Sequence, residues 1–199
     1  AINMSSKPIH EIRERKRWCV TVHPCRAYAQ EANMSINEYQ DIVYDSISID
    51  WKELSNEMKE ISRKLQCHHD IRYIGKDTDI KSSTKGRTWF VDDGKYNMPG
   101  GEICTSPVEN SVEGKIFFDI PFMIYGEIIN GVSLKFERGE IVDYSAERSE
   151  EQLKFLIDTD GGSRRLGEMA IGMNSGIKRY TMNSLFDEKI RDTIHCAIG

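Results

Sequence analysis

The chain has 199 residues, 39% hydrophobic and 30% charged, proportions that exclude a disordered or fibrous polypeptide and allow one substantial core or two small ones. Its 27 basic and 32 acidic residues leave a net charge of −5, which argues against nucleic acid as a partner. No run approaches the roughly 18 apolar residues of a membrane helix and no signal-peptide pattern opens the chain, so a soluble, cytoplasmic protein with no membrane partner is expected.

Residues 1–12 carry no periodic pattern and are expected to be a leader; the basic cluster that follows, Arg13 to Arg17, has no aromatic platform beside it and fits a solvated segment. Over 16–23, Trp18, Val20 and Val22 alternate with Cys19, Thr21 and His23, the pattern of a half-buried strand, and Pro24 ends it. A short helix over 26–32 would close on Asn33 in the left-handed region. Ser35-Ile36-Asn37-Glu38 is a capping box for a second helix, and Asp50 opens a third with Leu54, Met58, Ile61 and Leu65 on one face. These elements predict a short helical, α/β-type lobe over 1–70. His68-His69-Asp70 resembles a metal motif only superficially, because consecutive side chains diverge; a loop or strand start is the expectation.

From 71 to 199 the pattern changes to a β-rich domain with a few helices, giving an α+β fold overall. Short strands are predicted over 71–76, 79–84, 87–91, 114–120, 122–128, 131–137 and 140–147, with Asn130-Gly131 and Arg138-Gly139 as hairpin dipeptides. Antiparallel strands at this spacing predict a barrel or a strongly curved sheet. A helix opens at Ser149, buries Leu153, Leu156 and Ile157, and breaks at Gly161-Gly162. Arg165-Leu166-Gly167-Glu168 opens a helix-like run, Asn174-Ser175-Gly176 turns the chain, 183–190 is predicted helical, and 193–198 is a strand carrying His195.

One corner organises the candidate chemistry. In Asn97-Met98-Pro99-Gly100-Gly101-Glu102, proline fixes one φ and the glycines permit close backbone approach, so Glu102 is held at the head of the next strand. Glu102, Glu168 and His195 are residue types that bind divalent metals. Each also has a plain structural reading: a hairpin turn with a surface Glu, a carboxylate paired with Arg164 or Arg165, and a histidine satisfied in a core. The five cysteines, Cys19, Cys25, Cys67, Cys104 and Cys196, are irregularly spaced without a CxxC and are expected as reduced, mostly buried thiols. A nucleophilic Cys104 or Cys196 would need a partner base, and His195 points away from its neighbour Cys196 on a strand.

The blocks NMPGGE, RLGEMAIG, NSLFDEKI and TIHCAIG, in this order, with the earlier RWCVTVHPCRAYAQEANMS, resemble the thermophilic metallo-aminopeptidases of the aminopeptidase T and aminopeptidase S type. The resemblance covers nearly the whole chain and departs from the family at Arg191-Asp192, where small residues are usual. It implies removal of amino-terminal residues from peptide substrates by attack of a hydroxide held between two divalent ions, zinc or cobalt favoured over magnesium or manganese. By the same resemblance Glu168 is the bridging ligand, Glu102 a ligand of one ion and His195 of the other, with Glu102 and Glu168 the catalytic pair. Asp187 and Glu188 are the nearest acidic candidates to orient the second nitrogen of His195; as an exposed helix start they would have no such role. Further family ligands, a His and an Asp, lie later in sequence. The chain is therefore expected to be an inactive piece of a homodimeric enzyme, lacking an amino-terminal domain and part of the metal site. The rival expectation is a non-catalytic module binding peptide or carbohydrate through Trp89, Phe90, Tyr96 and Tyr125, which would hold no stoichiometric metal.

Overall fold

The computed structural model describes residues 16–199; the expected leader and the start of the basic cluster, 1–15, lie outside the described residues. Three helices come early. α1 (Arg26–Glu31) is followed by Asn33 at φ 54, the left-handed residue the sequence pointed to. α2 (Ile36–Ile47) begins with the complete capping box: the Glu38 N–H donates to Ser35 Oγ and the Ser35 N–H donates to Glu38 Oε2. α3 (Trp51–Gln66) begins where the Asp50 carboxylate accepts the Lys52 and Glu53 N–H groups.

The strands form open sheets, and among the described residues none closes into a barrel. β2 (Asp70–Gly75), β3 (Thr78–Ser83), β7 (Glu113–Phe118), β10 (Val132–Glu137) and β11 (Glu140–Ser145) make an antiparallel five-stranded sheet in the order β11-β10-β7-β3-β2. A second, four-stranded antiparallel sheet has the order β13-β12-β6-β4, built from β4 (Phe90–Asp92), β6 (Glu102–Thr105), β12 (Leu166–Gly172) and β13 (Thr193–Ile198). Two small ribbons complete the set. β1 (Val20–Thr21) pairs in parallel with β5 (Asn97–Met98), and β8 (Phe122–Ile124) pairs with β9 (Glu127–Ile129).

Several boundaries differ from the sequence expectation for identifiable reasons. The strand expected over 16–23 shortens to β1, because only its middle finds a partner strand. The strand expected over 122–128 is a hairpin: Tyr125 and Gly126 take φ 52 and 82 and reverse the chain. Arg138-Gly139, at φ 51 and 82, is a two-residue hairpin turn between β10 and β11. Asn130-Gly131 is not, since the strands flanking it pair elsewhere, β9 with β8 and β10 with β7. The helix expected over 183–190 is a single turn, α5 (Ser184–Asp187), capped by the Asn183 side chain. The largest correction is 166–171, whose helix-like run is the central strand β12, hydrogen-bonded to β6 on one side and β13 on the other. Helix-favouring Leu, Glu, Met and Ala there are overridden by pairing to two distant strands.

The main core fills the space between the five-stranded sheet and one face of the four-stranded sheet, with Ile80, Ile116, Phe136 and Met169 fully buried and α4 (Glu150–Ile157) adding Leu153 and Ile157. A second cluster packs Leu54 and Met58 of α3 on Trp89, Ile103 and Met173, and a third gathers Tyr39 and Val43 of α2 with Phe186 of α5. No helix among the described residues is long and apolar enough to cross a membrane.

Candidate metal centre

Alternation along the four-stranded sheet separates its two faces. Val91, Ile103, Met169 and Ile171 look into the cores beneath. The intervening residues look the other way, and the strand register decides which of them meet. Asp92 pairs with Glu102 and Glu102 with Gly172; Phe90 pairs with Cys104, Cys104 with Ala170, and Ala170 with His195; Glu168 pairs with Ala197. Directly paired residues of an antiparallel sheet project to the same side. One face therefore carries Asp92, Glu102, Cys104, Glu168 and His195 together.

The glycine corner positions Glu102. Gly101 stands at φ 111, and a Cβ there would fall 2.7 Å from the Cβ of Asn174, which explains why a glycine turns the chain into β6. Asn174 is fully buried and ties the corner down: its Nδ2 donates to the carbonyls of Gly100 (2.9 Å) and Ser46 (3.0 Å), and its own N–H donates to the Lys189 carbonyl. The chain after α5 is thereby drawn over the end of β12, so closely that a Cβ on Gly172 would lie 2.1 Å from the Ile190 carbonyl oxygen.

The three predicted metal-binding residues come together here. His195 Nε2 is 2.9 Å from Glu168 Oε1 and 3.1 Å from Glu102 Oε2. The ring nitrogen makes its hydrogen bond to Glu168, leaving Glu102 Oε2 buried without a hydrogen-bond partner. Glu168 does not pair with the arginines beside it; Arg164 is engaged by Asp158 and Arg165 by Glu140. Two residues that the sequence reading did not single out complete the cluster. Lys189, whose side chain is 0% exposed, places Nζ 3.2 Å from Glu102 Oε1 and in contact with Glu188 Oε1. Asp92 is fully buried with Oδ1 unpartnered, while Asn97 Nδ2 donates to its Oδ2 at 2.8 Å. Lys189 falls within the block NSLFDEKI, but a lysine after a short helix normally reads as solvent-facing.

The orienting role considered for Asp187 or Glu188 is not realised. Asp187 accepts from the N–H and hydroxyl of Thr181, Glu188 pairs with Lys189, and His195 Nδ1 is buried without a partner. Nor are these two an exposed helix start, since both are half-buried.

Charge in the cluster is strongly coupled. Burial works against the His195 cation, but the carboxylates of Glu102 and Glu168 at Nε2 outweigh it and lift its pKa to about 9. Burial likewise opposes ionisation of Glu102, and His195 with Lys189 overrides it, leaving its pKa below the ordinary value. Asp92 and Glu188 are pushed upward, chiefly by burial. Burial raises the thiols of Cys104 and Cys196 to about 12, so neither is a thiolate nucleophile at neutral pH.

The donor set suits a divalent cation. One oxygen or sulfur atom each from Glu102, Cys104 and Glu168 lies within 4.8 Å of the others, and a buried carboxylate oxygen whose close polar contact is the His195 ring, at 3.1 Å, is the kind of atom a cation satisfies. The proton on His195 and the ammonium of Lys189 balance the carboxylates.

Comparison with known proteins agrees in fold and sequence. Aminopeptidase T of Thermus thermophilus is 43% identical over 144 residues, which cover 66% of this chain and 35% of that protein. Aminopeptidase 2 of Geobacillus stearothermophilus is 39% identical over 107 residues, covering 52% of this chain and 25% of that protein. The solved structure of wild-type AmpT from Thermus thermophilus superposes with a TM-score of 0.74 at 28% identity, covering 82% of this chain and 45% of that one. The chain thus spans less than half the length of these relatives. With the family model for thermophilic metalloproteases (M29) matching residues 4–199, nearly end to end, the chain belongs to the M29 thermophilic metalloprotease family.

Proposed function

We propose that this chain contributes the metal-binding floor of a metallo-aminopeptidase that releases amino-terminal residues from peptides. The observation that carries the reading is the meeting of Glu102, Glu168 and His195 at one point of the polar sheet face, from three different strands. Relatives named aminopeptidases support the reaction class.

Two divalent ions, zinc or cobalt in this reading, would supply an ionised water as nucleophile and a counter-charge for the peptide carbonyl. The chain's own residues have separate tasks. Glu102 offers Oε2, because Lys189 already holds Oε1. Glu168, whose side chain is 38% exposed and whose Oε1 meets His195 Nε2, would be the carboxylate shared between the ions. His195 offers Nε2 once its proton has left. Lys189 fixes Glu102 and keeps Glu188 turned toward itself. These donors suit one ion with open positions; a second ion takes further donors, and peptide access requires the open side of the sheet face.

The test is metal content followed by hydrolysis. A longer protein that adds the further donors, dialysed against zinc or cobalt, should retain metal in whole-number stoichiometry and cleave aminoacyl p-nitroanilides, losing activity with a chelator and regaining it with metal, whereas the 199-residue chain should cleave little or nothing. Glu168→Gln should abolish turnover while the protein stays folded. A folded, metal-loaded longer protein that cleaves no amino-terminal residue, or full activity in its Glu168→Gln variant, overturns the reading. Absence of bound metal would favour the peptide- or carbohydrate-binding module instead.

A further inference from the structure

Cys104 is a soft atom among hard ones. The register sets it between Phe90 and Ala170 on the site face, with His195 next in the same row across the sheet. Neither flanking side chain, a hydrocarbon ring and a methyl group, can ligate an ion. The Cys104 sulfur lies within 4.8 Å of a carboxylate oxygen of Glu102 and of one from Glu168. It is a half-buried free thiol, whereas Cys196, paired with Met169, is turned into the main core and away from the cluster.

The oxygens around this sulfur are short of donors. Glu102 Oε2 belongs to a side chain only 8% exposed and has no hydrogen-bond partner, because the His195 ring 3.1 Å away makes its hydrogen bond to Glu168. A cation that satisfies this oxygen comes within reach of the sulfur as well. Zinc ligands stand about 2.0–2.3 Å from their ion, so the three donors must draw closer together than 4.8 Å on binding. Glu168, with its side chain 38% exposed, has the freedom to close that gap.

We propose that Cys104 is a sulfur donor to the ion held by Glu102 and Glu168, and that it makes the centre favour thiophilic divalent ions such as zinc and cadmium over manganese and magnesium. This role rests on the reading of the cluster as a metal centre and holds whichever bond that centre cleaves. Carboxylate oxygens alone suit hard ions, and a thiolate shifts the preference toward softer ones. On binding, the thiol gives its proton to solvent and the sulfur lone pair goes to the ion; nothing is oxidised or reduced. The same side chain is then inert toward substrate and available to metal.

The test loads the 199-residue chain with cobalt(II) after iodoacetamide has blocked the exposed Cys19 and Cys67. A thiolate-to-cobalt charge-transfer band should appear in the near-ultraviolet spectrum and be missing from Cys104→Ser, with circular dichroism reporting that the variant is folded. In competition titrations Cys104→Ser should bind zinc and cadmium about 10- to 100-fold more weakly and manganese within about twofold of wild type. Cadmium-113 NMR of the blocked wild-type protein gives a readout that needs no variant: the resonance should lie downfield, where sulfur coordination places it, and it decides the matter if Cys104→Ser does not fold. Bound cobalt without the band, a cadmium resonance typical of oxygen and nitrogen donors, or equal losses for zinc and manganese would overturn the sulfur donor and leave the metal centre standing. A chain that retains no cobalt, zinc or cadmium would overturn both.

Discussion

The two faces of the four-stranded sheet share every backbone hydrogen bond yet have opposite chemistry. On one, Ile103, Met169 and Ile171 are packed into apolar cores; on the other, one residue along in each strand, stand Glu102, Glu168 and, across the register, His195. The difference teaches where the free energy resides. The apolar face gains stability by leaving water, whereas the polar face holds carboxylates together against their mutual repulsion and is tolerated because Lys189 and a protonated His195 sit among them. Stability and chemistry are thus separated by one residue of strand and should respond to different substitutions.

The largest effect is expected where the polar face depends on a buried cation. Lys189→Met leaves Glu102 and Glu188 beside an apolar side chain, and removing one partner from a buried ion cluster costs about 3–5 kcal/mol. Urea denaturation of the metal-free protein should show the loss, and excess zinc should recover part of it by replacing the missing charge. Equal stability of variant and wild type would mean that the carboxylates are neutral there. On the opposite face, Met169→Ala empties a fully buried position and should cost about 2–5 kcal/mol, with no change in bound metal. If it lowered metal content while the protein remained folded, the separation between the faces would fail.

Protons should distinguish the faces as well. His195 has its folded pKa raised to about 9, against about 6.5 for an unfolded histidine. Its contribution to stability is therefore complete below about pH 6.5 and is lost as pH rises toward 9. Metal binding must displace that proton, so zinc affinity should increase about tenfold per pH unit up to about 9, provided the carboxylates are ionised. Calorimetry in buffers of different ionisation enthalpy would count the proton released. An affinity flat between pH 7 and 9 would exclude His195 as a donor.

Local signals carried much of the fold. The capping box at Ser35, the Asp50 cap, the Arg138-Gly139 turn and the strand bearing His195 all depend on neighbours within a few residues, so their physics is written in short windows of sequence. The failures are non-local. β12 is rich in helix formers and is a strand only because β6 and β13 flank it. Lys189 is buried because Asn174 draws its backbone over the site, a contact set by the chain's path rather than by residues near 189. For the site, Glu102, Glu168 and His195 could be named from a family pattern, but Asp92 follows only from the register opposite Glu102, and Lys189 only from the path of the chain over the site.

The smallest expected effect tests whether the two faces are mechanically coupled. Arg191 makes a two-pronged ion pair with Glu57 of α3, at 2.6 and 3.1 Å, while also donating to the Met173 carbonyl. It thereby ties a helix that packs beneath the sheet to the turn that leads into β13, where Asp192 takes φ 64. Both charged side chains are 38% exposed, so solvent screens the pair and Arg191→Ala should cost under about 1 kcal/mol. Metal affinity should change by no more than the same small factor, because His195 is held opposite Ala170 by the β12 ladder and not by the tether. Thermal denaturation and zinc titration of the variant measure the two quantities side by side. A loss of affinity tenfold larger than the loss of stability implies would show that α3 sets the height of His195 above the sheet, and the polar face would then depend on packing beneath it.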